Sequence, residues 1–111
     1  MNDVYNLEKI LDKIKDRASN ENIRITQHAQ QEMVDENINL NVVLEAISRS
    51  EILENYPEHR RGTCCLLNGT TDNGKNLHIV CTTSQPILII ITVYLPKPPK
   101  WVTPTQRRKK I

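Results

Sequence analysis

What this sequence lacks already narrows what it does. No apolar run approaches the ~20 residues that a helix needs to cross a bilayer. The longest, Ile87–Ile91, is short and β-branched, and reads as a buried strand. The opening Met1-Asn2-Asp3-Val4 has neither the basic nor the apolar region of a secretory signal, so a cytoplasmic protein with no membrane partner is expected. Cys64, Cys65 and Cys81 offer no C-x-x-C spacing, and adjacent strand residues point to opposite faces. A disulfide framework or structural zinc is therefore not expected. Glycine is scarce, three in all, and none forms a phosphate-cradling loop. A serine-nucleophile elbow and paired carboxylates are missing too. The three histidines lack H-x-x-x-H or histidine–carboxylate spacing, so neither a metal nor another cofactor is expected.

What is present amounts to one domain: 111 residues, 38% hydrophobic and 25% charged. The formal charge of +2 hides an asymmetry. Residues 97–111 hold six basic side chains (Lys97, Lys100, Arg107, Arg108, Lys109 and Lys110) and no acidic one, whereas the preceding 96 residues hold nine basic and thirteen acidic. A basic tail on an acidic body points to a polyanion or an acidic partner. A solvated, frayed terminus has the same composition.

Hydrophobic periodicity divides the chain into three stretches. Leu7, Ile10, Leu11, Ile14 and Ala18 mark one helical stripe, which predicts an N-terminal amphipathic helix within residues 1–22. The body, residues 23–96, begins with an alternating strand, Ile23–Thr26. Thr26 then caps a helix over Gln27–Asp35, and Asn39 caps another over Leu40–Arg49. Beyond Ser50 the period changes to two. Strands are predicted at Ile52–Tyr56, Thr63–Asn68, Leu77–Thr83 and Ile87–Leu95. Asn73-Gly74 is read as a tight hairpin turn pairing Gly69 with His78. The last strand, apolar on both faces except at Thr92 and Tyr94, has the pattern of a central one. Prolines 96, 98 and 99 predict an irregular tail over 97–111, with Trp101 pinning it to the body. The expected fold is α+β, with N-terminal helices packed on one face of an antiparallel sheet of about four to five strands. Its other face is expected to be open.

Few residues could carry chemistry. His28 follows the Thr26 cap by two positions, where the positive end of the helix macrodipole opposes a charged ring and leaves a proton acceptor. A histidine bonding a neighbouring backbone carbonyl would fit the same place. His78 interrupts an aliphatic strand and needs a partner there, whether a ligand or its own core. Tyr94 can donate its hydroxyl, and Arg60 and Arg61 can fork a phosphate. His59, beside them, reads as an ordinary loop residue. Histidine, arginine, tyrosine and lysine without a metal suit cleavage of RNA by its own 2′-hydroxyl. A binder that never cuts would use the same set.

Ile25-Thr26-Gln27-His28-Ala29 with Met33, the Leu77-His78-Ile79-Val80 strand, Ile90–Tyr94 with a following proline, and Trp101 ahead of a basic end together resemble the domain-of-unknown-function 4258 family over about residues 23–110. That family is similar to the RelE/ParE-like toxins, small α+β proteins paired with antitoxins. The resemblance implies a metal-independent endoribonuclease of a type II toxin–antitoxin pair. RNA would be its substrate, and a cognate antitoxin, a small zinc-finger protein for this subgroup, its partner. In that reading His28, His78 and Tyr94 are catalytic, while Arg60, Arg61, Trp101, Arg107, Arg108, Lys109 and Lys110 bind RNA or its phosphates. The sequence departs from the family pattern H-A-x-x-R-M at Glu32, and Asn37 replaces a second arginine. This departure leaves a non-catalytic RelE-like binding module, for an antitoxin or nucleic acid, as the alternative.

Overall fold

The structure is a computed structural model that describes residues 3–60, 62–83 and 86–107. The first apolar stripe forms helix α1 (Asp3–Ser19), whose Ile14 and Ala18 are buried. Strand β1 (Ile23–Ile25) leads into α2 (Gln27–Asp35) and α3 (Leu40–Ser48). Both caps form as their side chains dictate: the Thr26 hydroxyl accepts from the Ala29 amide at 3.1 Å, and Asn39 Oδ1 accepts from the Val42 amide at 3.0 Å. Asn37 ends α2 in the left-handed region (φ 56°). Around it the amides of Asn37 and Ile38 donate to the carbonyls of Val34 and Met33, the pairing of a Schellman motif.

Strands β2 (Glu51–Tyr56), β3 (Cys64–Thr70), β4 (Asn76–Thr82) and β5 (Leu88–Tyr94) complete a five-stranded sheet in the order β1-β5-β4-β3-β2. The fold is α+β, with two corrections to the expectation. The helices are not one N-terminal block, because β1 separates α1 from α2. The sheet is not wholly antiparallel either, since β1 runs parallel to β5, Ile23 facing Leu88 and Ile25 facing Ile90. With β1 and β2 at the edges, β5 lies inside the sheet, as its two-sided apolar pattern requires.

The β3–β4 hairpin holds a third correction. The turn is wider than Asn73-Gly74: the Thr71 amide donates to the Lys75 carbonyl and the Gly74 amide to the Thr71 carbonyl. Partners shift by one residue, so Gly69 faces Leu77 and His78 faces Asn68. A one-residue shift exchanges neighbours across the whole ladder. It also puts Asn68, not a glycine without a side chain, opposite His78. Gly69 instead lets α3 press on the sheet, for a Cβ there would lie 2.3 Å from the Ala46 carbonyl oxygen.

The core therefore occupies the helix side, where Ile14, Ala29, Val43, Ile47, Leu67, Leu77, Ile79 and Ile90 are buried. Burial of each of these isoleucine, leucine and valine side chains contributes about 1.5–3 kcal/mol. Cys65 and Cys81 face each other across β3 and β4 in this core, and all three cysteines are buried and outside any disulfide. A hydrogen bond from Cys65, together with burial, pushes the Cys81 thiol well up. His78, one residue out of step with Leu77 and Ile79, points to the other face. That face is not open at His78. The proline-rich segment leads into a small hairpin of β6 (Trp101–Thr103) and β7 (Gln106–Arg107), and Trp101 is only 2% exposed.

Candidate functional site

The sequence-predicted residues fall into two separate groups, one sealed and one open. The sealed group centres on His78, which is fully buried. Its Nε2 lies 2.6 Å from the Pro104 carbonyl oxygen, an acceptor, so Nε2 carries the proton. Nδ1 then accepts from the Tyr94 hydroxyl at 3.0 Å, and that hydroxyl accepts from Trp101 Nε1 at 3.1 Å. Every donor and acceptor in this chain is used with the ring neutral. Burial pushes the His78 pKa down, against the opposing pull of the Pro104 carbonyl, and it pushes the Tyr94 hydroxyl up. The imidazole also packs edge-on against Trp101, with ring centroids 4.4 Å apart.

Arg107 closes the group from outside. Its guanidinium stacks on Trp101, 4.6 Å from the ring centroid, and forks onto Glu54 with contacts of 2.5 and 2.6 Å. Tyr56 donates its hydroxyl to the same Glu54 carboxylate. Glu54 and Tyr56 are two apart on β2, so they share a face. The guanidinium, bonded directly to Glu54, holds that carboxyl below its ordinary range. Burial and the carboxylate beside it push Tyr56 up to about 12. The three groups are thus ionised, ionised and neutral, in the arrangement a bidentate ion pair needs.

The open group lies around the start of α2. Thr26, His28, His59, Arg60 and Ile91 line one cleft of about 390 Å³, a size common among small-ligand sites. Two features of the fold create it. The Thr26 hydroxyl, while capping α2, donates to the Ile91 carbonyl at 3.1 Å and ties the helix start to β5. The loop after β2 supplies His59 and Arg60 to the same cleft as Ile91 of β5, although β2 and β5 are not neighbours in the sheet. The His28 side chain is 68% exposed and lies 3.3 Å, through Nε2, from Glu32 Oε1 on the next helical turn. The same oxygen accepts the Val93 amide at 2.9 Å, beyond the point where β1 stops pairing with β5. Glu32 therefore holds a strand end and the imidazole together. When Nε2–H of the neutral ring faces this carboxylate, Nδ1 is left as a proton acceptor.

A further cleft of about 360 Å³, lined in part by Glu36, Glu45, Asp72 and Leu77, has the wrong chemistry for phosphate. Its carboxylates are already engaged: Glu36 with Lys97, Glu45 with the Asp72 amide, and Asp72 with Arg49.

Of the predicted residues, the structure brings His28 together with Arg60, and separately His78 with Tyr94, Trp101 and Arg107. His28 and His78 do not share a pocket. Trp101 is buried and offers RNA no free surface, and Arg107 is committed to Glu54. Arg61, Arg108, Lys109 and Lys110 lie outside the described residues. Sequence reasoning missed His59, Glu32, Glu54 and Tyr56. The i, i+2 spacing of Glu54 and Tyr56 and the i, i+4 spacing of His28 and Glu32 were usable signals. Nothing local marked His59, whose place depends on the tertiary placement of its loop. Among the described residues no group of three or more histidine, cysteine or acidic side chains is placed to hold a metal ion. No helix there is long and apolar enough to cross a membrane.

Residues 25–95 match the family described as Domain of unknown function (DUF4258), and the chain belongs to that family. No curated protein matches, and no solved structure matches.

Proposed function

We propose that this DUF4258 member is a RelE-like, metal-independent endoribonuclease whose chemistry sits in the open cleft. The observation that carries the reading is the convergence of an exposed imidazole, a guanidinium and a capped helix start around one cleft. Cleavage of RNA by its own 2′-hydroxyl needs a base for the hydroxyl proton and a cation for the charge gathering on phosphorus. His28, with Glu32 behind it, supplies the base, as a carboxylate orients an imidazole and compensates the charge the ring acquires. Arg60 supplies the cation. His78, Tyr94, Trp101 and Arg107 leave the reaction and become the clamp that holds the C-terminal hairpin on the sheet. The basic residues after Arg107 extend the electrostatic footprint for RNA. An acidic antitoxin, encoded beside this protein, would compete for the same cations.

The test is incubation of the purified chain with single-stranded RNA in EDTA. Cleavage leaving 2′,3′-cyclic phosphate ends is expected, reduced about 10²–10⁴-fold in His28→Ala. Intact RNA after prolonged incubation would contradict the proposal.

A second reading has one observation in its favour: a carboxylate, Glu32, stands where the family pattern has a cation. A binding-only relative would hold RNA or an antitoxin in the same cleft and cut nothing. His28→Ala would then leave growth inhibition on expression intact.

A further inference from the structure

We propose that His59 is the second imidazole of the reaction, the acid that completes a pair with His28. The proposal rests on the ribonuclease reading above and adds the group that reading leaves out. Cleavage at phosphorus needs two proton transfers, one from the attacking hydroxyl and one to the departing oxygen. His28 and Arg60 account for the base and the charge, and neither provides the second proton. His59 does, because it lines the same cleft as both of them and is half-buried there, in the loop after β2. Its neighbour Arg60 places a cation next to the acid, where the phosphate oxygens would lie.

The step balances with these groups alone. Neutral His28 takes the proton of the ribose 2′-hydroxyl, and the 2′-oxygen forms its bond to phosphorus. The bond from phosphorus to the 5′-oxygen breaks, with its electron pair leaving on oxygen. Protonated His59 gives that oxygen its proton. The products are a 2′,3′-cyclic phosphate and a 5′-hydroxyl end, and the two histidines exchange protonation states through solvent before the next turnover.

The experiment measures kcat/KM against pH for a fluorescently labelled RNA oligonucleotide in EDTA, with binding of the same oligonucleotide followed by anisotropy. The wild-type profile is expected to be bell-shaped, since one group must be neutral and the other charged. His28→Ala should remove the acid limb and His59→Ala the alkaline limb, each lowering the maximum rate about 10²–10⁴-fold while changing affinity less than tenfold. His59→Asn should behave as His59→Ala, and thermal unfolding should show that both remain folded. A wild-type chain that cleaves while His59→Ala keeps its rate and both limbs would overturn the role of His59 and leave the ribonuclease reading standing. A wild-type chain that binds RNA without cutting it would overturn both.

Discussion

His28 and His78 are the same residue type in one small molecule, and their surroundings give them opposite uses. The His78 imidazole is fully buried and has both nitrogens spoken for by Tyr94 and Pro104. The His28 ring is largely exposed, with one nitrogen near Glu32 and a cleft in front of it. A buried ring with fully satisfied hydrogen bonds gains stability from its neighbours and has no route for exchanging protons with a substrate. An exposed ring contributes little to folding and stays within reach of a substrate. The comparison teaches that a histidine interrupting an aliphatic strand is the conspicuous one in a sequence, yet the inconspicuous one on a helix start is better placed for chemistry.

The largest expected difference between the two regions is in stability. Trp101→Ala removes the plug over His78 and should cost about 3–5 kcal/mol by chemical denaturation. RNA cleavage per folded molecule should stay within a few fold of wild type. A loss below 1 kcal/mol would break the picture of a clamped hairpin. Tyr94→Phe leaves His78 Nδ1 without its donor and Trp101 Nε1 without its acceptor, which should cost about 1–3 kcal/mol. An unchanged melting curve would show that the two bonds do not form in solution.

The pH dependence sharpens the same contrast. Burial depresses the pKa of His78 in the folded state below its ordinary 6.5, while Glu54 opposes this and Arg107 and Lys100 reinforce it. The neutral ring is the bound form. Its contribution is therefore complete above pH 6.5 and declines as pH falls below that value towards the folded pKa. Thermal unfolding followed from pH 7.5 to 5.0 should show this decline, and a His78→Gln chain should lose most of it. The smallest effect belongs to the helix start. Thr26→Ala should cost about 0.5–2 kcal/mol through the lost cap. It should also loosen the tie between α2 and Ile91, visible as faster amide exchange at Ala29.

Much of the fold was legible because local rules and tertiary packing agree. The stripe in α1, the Thr26 and Asn39 caps, and the two-sided apolar strand β5 all sit where periodicity and capping chemistry place them. The hairpin register was not legible, since Asn73-Gly74 fits a two-residue turn and the observed wider turn shifts every pair by one. That one step moved His78 from facing Gly69 to facing Asn68, while its bonds to Tyr94 and Pro104 come from β5 and the C-terminal hairpin. The short hairpin of β6 and β7 was hidden by the prolines before it. At the open site, His28 and Arg60 were readable as chemistry-bearing types, but their sharing one cleft depends on tertiary placement of the loop after β2, and no local pattern encodes that. Glu32 and Asn37 have local structural roles: one holds the Val93 amide and lies beside His28, the other ends α2 in a left-handed conformation.

The most direct test compares two variants for metal-free RNA cleavage at equal concentrations of folded protein, His28→Ala from the open cleft and Tyr94→Phe from the sealed clamp. The account predicts that His28→Ala loses about 10²–10⁴-fold in rate while Tyr94→Phe stays near wild type. Loss of cleavage in Tyr94→Phe with His28→Ala unaffected would place the chemistry in the buried network and contradict the account.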